Sequence, residues 1–478
     1  MPLSSANGFH STSDTTMNGS EPQPATAASV YKQQTPELER GVGLWGAIST
    51  NVLNMVGIGP FLTIPLILAA MGGPQAMLGW ILGALIALCD GLVWAELGSA
   101  MPQSGGPYHY LLEAFGPRSL GRLLSFLFLW QTLLVGPLSI ASGAVGFVQY
   151  AKYLAPSLHG WQFPVLAATV CLFNTALLLR RIRTISGLSV VIAIIVLGTG
   201  GWILLTGLLH FRAALAFDFP RMGSGLSRGF WTGLGAATLI ALYDYGGYFN
   251  VCLIGGEVQC PRKTIPRSIL ISIGVVGLLY LAMNISILGV VPWREAMHSD
   301  AIVADFMRRI YGIAGARIVS VLILIATFGS VFAVLLGYSR VPFAAAADGR
   351  FFSVFARVHS KDQYPIVAVL TMGLLSALAC VFSLSELINT LIVVQTMLQF
   401  IAQCVAVFLL RRGSHNNPLS YRMPLFPLPA LVALGGWIYI VVTSGTRYIG
   451  IGALLIVIGV AAFLLRSVRT HEWPFGVA

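Results

Sequence analysis

Asn54-Met55-Val56-Gly57-Ile58-Gly59-Pro60-Phe61 lies inside an apolar run that extends from about residue 42 to residue 70. A run of this length can cross a bilayer as a helix, which takes roughly 20 apolar residues. Two glycines and a proline oppose a continuous helix here, because glycine adopts angles that other residues avoid and proline lacks a backbone N–H. Opened backbone is tolerated at membrane depth only when it is buried in protein or faces a polar cavity. We therefore expect Gly57 and Gly59 to lie in non-helical backbone beside a cavity.

A second stretch of the same kind, Tyr243-Asp244-Tyr245-Gly246-Gly247-Tyr248-Phe249-Asn250, interrupts the apolar run from about 230 to 256. A single glycine pair in a membrane helix is usually explained by close packing of helices through small residues. Two interrupted spans at corresponding places in two halves of a chain instead point to a transporter binding site. The acid in the second stretch strengthens this interpretation, because intramembrane acids are expensive and usually functional.

The composition is that of an integral membrane protein. Of the 478 residues, 56% are hydrophobic and 9% are charged, whereas soluble domains carry about 25% charged residues. The apolar runs are continuous rather than alternating, which predicts helices and not a barrel. The net charge of +11 comes from loops between apolar spans, so no nucleic-acid partner is expected. The sequence carries no enzyme signature and no metal-ligand spacing, and we expect neither catalysis nor a cofactor.

The apolar runs predict twelve membrane helices and an all-α fold. Their approximate bounds are 43–70, 75–100, 120–150, 162–180, 185–209, 229–256, 268–292, 314–343, 364–382, 386–410, 426–445 and 448–467. The excess of Lys and Arg on one side places both termini in the cytoplasm, in a plasma or inner membrane. Residues 1–40, rich in Ser, Thr, Pro and Ala, predict a disordered cytoplasmic tail.

The first and sixth spans are the broken ones, so spans one to five and six to ten form two candidate repeats. Because each repeat has an odd number of helices, the second is predicted to be inverted in the membrane. Residues 41–412 would then form a transporter core, and 413–478 would hold helices 11 and 12 and a C-terminal tail.

Three segments resemble the amino acid–polyamine–organocation superfamily of transporters. They are Ala95-Glu96-Leu97-Gly98 with Pro102-Gln103-Ser104-Gly105-Gly106-Pro107-Tyr108, the run Gly255-Gly256-Glu257-Val258-Gln259-Cys260-Pro261-Arg262-Lys263, and Ser339-Arg340 with Asp348-Gly349. The resemblance implies a leucine-transporter-like fold with alternating access around a central site. It also implies that backbone N–H groups of the opened first helix hold a substrate carboxylate, at positions Val56, Gly57, Ile58 and Gly59. Carbonyls and an aromatic lid of the opened sixth helix would meet the amine, at positions Leu242, Tyr243, Asp244, Tyr245 and Gly246.

The chain also departs from some members of that superfamily. The fifth span contains no lysine to replace a sodium ion. The outer loop 152–162 contains no cysteine, so no disulfide-linked heavy chain is expected as a partner. The segment around Asp90 resembles the polyamine-uptake branch, and many relatives have a small residue in place of Asp244.

Several side chains have two roles open to them. Asp244 would bind a substrate ammonium or carry a proton, unless it only caps the second half-helix. For Asp90, a proton or amine role and a structural hydrogen bond to inner-loop backbone are both open. Glu96 and Glu257, near the cytoplasmic face, are expected to pair with Arg or Lys as gate or structural residues. Thr327 and Ser330 share a helix face and are weak candidates for a cation site, since such hydroxyls usually bond their own backbone.

The sequence thus predicts a permease for amino acids or related amines, either proton-coupled or exchanging, embedded in membrane lipid. A polyamine transporter is the alternative, and a membrane sensor that binds substrate without transporting it is the alternative of another class. The first break suits a substrate carboxylate, which polyamines lack, whereas Asp244 and Asp90 suit a polyamine.

Overall fold

The computed structural model describes residues 40–57, 59–179, 182–220, 227–359, 364–413, 421–470 and 473–475. The predicted tail 1–40 lies outside these ranges except for its last residue, and so does Ile58 of the first stretch.

Every predicted span contains a helix, and β-structure among the described residues is limited to isolated bridges. The helices are α1 (Leu44–Met55), α2 (Gly59–Met71), α3 (Met77–Ala100), α4 (Pro107–Ala114), α5 (Leu120–Leu154), α6 (Gln162–Leu178), α7 (Ile182–Leu209), α8 (Ala213–Ala216), α9 (Arg228–Tyr245), α10 (Asn250–Leu253), α11 (Pro261–Leu288), α12 (Trp293–Ala296), α13 (Ile302–Ala347), α14 (Ile366–Ala379), α15 (Leu384–Gln395), α16 (Ile401–Gly413), α17 (Leu428–Thr443) and α18 (Thr446–Thr470).

Within the described part of the chain, eight helices are long and apolar enough to cross a membrane, with α1 and α2 counted as one and α15 and α16 counted as another. Three shorter apolar helices are α6, α14 and α17. The structure therefore confirms an all-helical protein with many apolar helices of membrane-spanning length.

The first predicted helix is broken, as the glycines and proline indicate. Helix α1 ends at Met55, Gly57 lies in a bend, and α2 begins at Gly59. Gly59 was expected outside the helix, and this part of the prediction is wrong. The following Pro60 fits the first turn of α2, where no intrahelical N–H is needed, so the helix can start at Gly59. The Tyr280 hydroxyl donates to the Met55 carbonyl at 2.8 Å, which satisfies an acceptor at the end of α1.

A second proline removes another backbone hydrogen bond within α2. Pro65 has no N–H to offer the carbonyl of Phe61, four residues earlier. The Tyr150 hydroxyl of α5 donates to that carbonyl at 2.9 Å. The half-helix is therefore anchored to α5 at a point where its own hydrogen bonding is incomplete.

The sixth predicted helix is broken at residues 246–249, between α9 and α10. Gly247 has a φ of 107°, and a Cβ there would lie 2.9 Å from the carbonyl carbon of Asn54, so only glycine fits. The Asn51 side-chain oxygen accepts from the backbone N–H of Val251 at 3.0 Å, which caps α10. The break of α9/α10 thus lies directly against the end of α1. We call residues 56–57 the first break and residues 246–249 the second break.

Long helices surround the two breaks. Helix α13 packs along α5, and α11 packs along α3, while α9 lies between α3 and α2. Helix α13 changes direction at Gly312, whose φ is 68°. The kink separates a first segment from the apolar part that the sequence predicts to begin at residue 314.

Candidate functional site

A cavity of about 60 Å³ lies where the two breaks meet; we call it the central cavity. Seven of the sequence-predicted site residues line it: Gly57, Gly59, Leu242, Tyr243, Asp244, Gly246 and Ser330. Val56, Tyr245 and Thr327 are buried but do not line it, and Ile58 lies outside the described residues. The two breaks and the helix ends beside them therefore bring most of the predicted positions to one small space.

The Asp244 carboxylate lies at the N-terminal end of α2. Its side chain is 1% exposed, and Oδ2 accepts a hydrogen bond of 2.5 Å from the Thr63 hydroxyl. Oδ1 is buried and has no hydrogen-bond partner among the described residues. This oxygen lies so close to Gly59 that a Cβ on that residue would collide with it. The first N–H groups of a helix carry partial positive charge, so an acid at this place is electrostatically favoured.

This arrangement decides between the local roles considered for Asp244. It does not cap α10, because Asn51 accepts from that helix instead. Its hydrogen-bond partner is Thr63, which the sequence analysis did not single out. A hydroxyl one turn after Gly59 was visible in the sequence, but only the fold shows that α9 brings an acid to it.

The three tyrosines of the second stretch have different surroundings. The Tyr243 hydroxyl lies 3.0 Å from the Ser142 hydroxyl, and Tyr243 lines the cavity. Tyr245 packs edge-on against Trp80, with ring centroids 5.6 Å apart, and lies behind the cavity wall. Tyr248 lines the cavity from the second break. Two of the three are thus placed to contact a ligand.

Tyr338 and Gln395 bring a hydroxyl and an amide to the lining of the central cavity. Gln395 donates to the Tyr338 hydroxyl at 3.1 Å, and Gln131 donates to Gln399 at 2.9 Å outside the cavity lining. Gln395 ends α15, immediately before a single π-helical turn over Thr396–Phe400. Such turns are rare overall, and a large share of them occur at functional sites. No sequence pattern predicts this one.

Asp90 lies in a second layer behind the central cavity and is fully buried. Its Oδ2 accepts from the Tyr248 hydroxyl at 2.5 Å, and its Oδ1 accepts from the Trp437 indole N–H at 3.1 Å. Both donors line the cavity, although Asp90 itself does not. The side chain therefore bonds to the second break and to α17, and not to the inner-loop backbone that was one of its expected partners.

The two hydroxyls considered for a cation have separate roles in the structure. Thr327 donates to the carbonyl of Ile323 in its own helix at 2.8 Å. Ser330 lies against the first break, where a Cβ on Gly57 would approach its Oγ to 2.5 Å. Only Ser330 reaches the central cavity.

Glu257 and Glu96 form buried ion pairs away from the cavity. Glu257 accepts from Arg340 Nε at 2.5 Å and from Nη2 at 3.2 Å, and both side chains are 1% exposed. Glu96 accepts two hydrogen bonds of 2.6 Å from Arg411 and one of 2.8 Å from the Met423 backbone N–H. Paired bidentate geometry of this kind is strong and directional.

The Glu257 segment also joins the start of α1. The backbone N–H of Val42 donates to the Glu257 carbonyl at 2.9 Å, and that of Gln259 donates to the Val42 carbonyl at 2.8 Å. Three parts of the chain therefore converge there: the residues before α1, the segment after the second break and the end of α13.

Comparison with known proteins gives one family and a consistent set of relatives. The family model described as amino acid permease matches residues 42–474. A serine/threonine exchanger of Bacillus subtilis is 26% identical over 420 residues, which cover 84% of this chain and 90% of that protein. Asc-type amino acid transporter 1 of Homo sapiens is 28% identical, covering 90% of this chain and 82% of the relative. Cationic amino acid transporter 4 of Mus musculus is 28% identical, covering 77% and 59% respectively.

Proposed function

The chain belongs to the amino acid permease family, and on that premise we propose that it is a secondary active transporter of amino acids with alternating access around the central cavity. Relatives of this chain are transporters and not enzymes. In our proposal, the helices form twelve membrane crossings in two inverted five-helix repeats plus α17 and α18. The broken pairs α1/α2 and α9/α10 would occupy matching places in the two repeats.

The observation that carries the proposal is an Asp244 oxygen that has no hydrogen-bond partner among the described residues and lies in a cavity between two opened helices. The N-terminal end of α2 is suited to a substrate carboxylate, and the carbonyls at the end of α9 are suited to its ammonium group. An amino acid carries both groups close together. A polyamine has no carboxylate, and the named relatives transport amino acids, so the polyamine alternative is not favoured.

The position of Asp244 adds a condition to substrate binding. A substrate carboxylate at the start of α2 would lie beside the Asp244 carboxylate, and like charges repel strongly in a buried site. The repulsion between the two carboxylates is removed if Asp244 takes up a proton, and it is offset if Asp244 pairs with the substrate ammonium. In the first case, apparent affinity rises as pH falls, by up to about tenfold per unit for one proton taken up.

We propose coupling to a proton gradient or to exchange, without a sodium requirement. The hydroxyl of Thr327 donates to a carbonyl of its own helix. Ser330 is then the one remaining candidate ligand of the two, and a single hydroxyl does not make a sodium site. The similarity to an exchanger is in line with substrate-for-substrate transport. The protein would lie in a plasma or inner membrane with both termini in the cytoplasm, and its small cavity favours small zwitterionic or cationic amino acids.

Asp244→Asn tests the proposal, because it preserves the shape of the side chain and removes its charge. If Asp244 pairs with a substrate ammonium, cationic amino acids should lose more affinity than neutral ones, by about 1–3 kcal/mol. If Asp244 carries the proton, binding and exchange should persist while accumulation driven by a pH gradient disappears. Calorimetry, exchange and proton-driven uptake measured on one variant in proteoliposomes separate the two results.

Asp218→Asn is the matched control, because Asp218 is 46% exposed and lies outside the central cavity. Unchanged behaviour of Asp244→Asn in all three assays would remove Asp244 from the mechanism. Uptake that vanishes when choline replaces sodium would contradict our coupling proposal. Ligand binding without any countertransport in the unmodified protein would favour the sensor alternative.

A further inference from the structure

A second cavity, of about 50 Å³, lies far from the two breaks, where the ends of α5, α13 and α18 meet α4. Three arginines line it: Arg122 at the start of α5, Arg350 just after α13, and Arg466 near the end of α18. We call it the arginine cavity. Tyr108 of α4 and the hydroxyls of Ser125 and Ser467 complete its polar lining.

The arginine side chains are held in place by backbone carbonyls. Arg122 Nε donates to the Pro117 carbonyl at 2.9 Å, and an Arg466 Nη donates to the Arg350 carbonyl. These bonds hold two of the three guanidinium groups beside the cavity, those of Arg122 and Arg466. A guanidinium has five N–H donors in a planar fork, a geometry that matches a phosphate or carboxylate.

Two of the lining residues named above carry buried donor atoms without a geometric hydrogen-bond partner among the described residues. Arg350 Nη1 and the Tyr108 hydroxyl are buried and lack a hydrogen-bond partner among the described residues. A buried polar group left without a partner is costly, and native structures rarely keep one without reason. Arg350 Nη1 therefore calls for an acceptor that the described residues do not supply.

The charge of the cavity specifies the kind of acceptor. Its lining among the described residues contains no Asp or Glu. The neighbouring acid is Asp348, which lies 4.0 Å from Nδ1 of His109 and is 37% exposed. Burial and the charge of Asp348 together raise the pKa of Tyr108, so this acid acts on the tyrosine rather than lining the cavity. Three cations around one small space favour a group with more than one anionic or acceptor oxygen, such as a phosphate.

The apolar side of the cavity indicates where this phosphate comes from. Phe126, Leu129 and Phe463 form that side. Helix α18 is apolar and of membrane-spanning length, yet only 17% of its apolar window is buried in the protein. Leu465 and Val468, beside Arg466 on the same helix, are 68% and 52% exposed. Acyl chains can therefore lie along α18 while a headgroup reaches the arginines.

We propose that the arginine cavity binds the phosphate group of an anionic phospholipid. Basic pockets between membrane helices are a recurring form of headgroup recognition, and each basic residue near a charged membrane surface adds attraction. The site lies apart from the central cavity, so the proposal stands whether or not the transport mechanism above is correct.

The test is a thermal-shift titration of the purified full chain in neutral detergent. The probes are short-chain phosphatidylglycerol, short-chain phosphatidylcholine and inorganic phosphate, and the variants are Arg350→Gln and Arg469→Gln. Arg469 is exposed at the same end of α18 and does not line the cavity, so it controls for net charge. We expect phosphatidylglycerol to raise the melting temperature of the unmodified chain and of Arg469→Gln. Arg350→Gln should bind it about tenfold or more weakly, the usual loss for a charged hydrogen bond.

For each variant, the melting temperature in phosphatidylglycerol is compared with that of the same variant in phosphatidylcholine. A general loss of stability lowers both values and cancels in the difference. If Arg350→Gln does not fold, Arg122→Gln provides the same comparison. The proposal is wrong if phosphatidylglycerol shifts the melting temperature of the cavity variant (Arg350→Gln or Arg122→Gln) as much as that of Arg469→Gln. It is also wrong if phosphatidylglycerol and phosphatidylcholine shift the melting temperature of the unmodified chain equally. If millimolar inorganic phosphate raises the melting temperature as much as phosphatidylglycerol does, the cavity binds a soluble anion and the lipid assignment is wrong.

Discussion

Gly59→Ala is expected to reduce transport by about 100-fold or more while the protein still folds. A Cβ on Gly59 would collide with Oδ1 of Asp244 and approach Cε1 of Tyr243 to 3.3 Å. The carboxylate would have to move away from Thr63, its only hydrogen-bond partner among the described residues. Misplacement of a functional group by about 1 Å can reduce activity about 100-fold, and overpacking costs about 1–3 kcal/mol of stability.

Gly198→Ala is the control for this substitution. Gly198 lies in α7 and has no atom within 4 Å of the position that a Cβ would occupy. Alanine there should leave transport unchanged and slightly stabilise the helix. Exchange in proteoliposomes and the melting temperature should be measured for both variants. If Gly59→Ala exchanges substrate as fast as the unmodified protein, then contact with the start of α2 does not position Asp244 for transport.

Glu257→Ala is expected to destabilise the protein by about 3–5 kcal/mol, because it leaves the Arg340 guanidinium buried without its acid. Both side chains are 1% exposed, so water cannot replace the lost partner. The quantity to measure is the denaturant or thermal stability of the purified protein in one detergent. The exposed pair Arg447–Glu386 is the matched comparison, and Arg447→Ala should leave stability nearly unchanged because water screens and replaces the lost partner.

The double variant Glu257→Leu with Arg340→Met separates a structural role from a gate. Replacing both charges by apolar side chains should restore most of the stability. If the pair also closes one end of the protein, the double variant should fold but leak substrate in the absence of exchange. A single Glu257→Ala variant as stable as the unmodified chain would refute the burial argument.

Much of the fold could be predicted from the sequence because it depends on local features. Continuous apolar runs require helices at membrane depth, and the Gly-Ile-Gly-Pro run opens the first of them whatever surrounds it. The start of α2 was misjudged by a residue or two, because Pro60 disrupts the preceding turn but is accommodated in the first turn of a new helix. The number of membrane crossings and the inverted repeat remain predictions.

The site was harder to predict because its contacts are between residues distant in the chain. Glycines 57 and 59 and Asp244 were found from their unusual places within apolar runs. Thr63 and Trp437 were missed, since a threonine or tryptophan in a membrane helix has no distinguishing local pattern. Their roles follow only from the approach of α9 to α2 and of α17 to α3.

The hydrogen bond between Asp90 and Trp437 sets an order of events during synthesis. The two residues are separated by 347 positions, and a ribosome needs roughly 20–70 s for that length at about 5–20 residues per second. Throughout this interval, the second apolar span is already available for insertion while its buried acid lacks one of its donors. Asp90 therefore reaches its full set of hydrogen bonds only after α17 has been synthesised, so the second apolar span cannot complete its packing before nearly the whole chain exists.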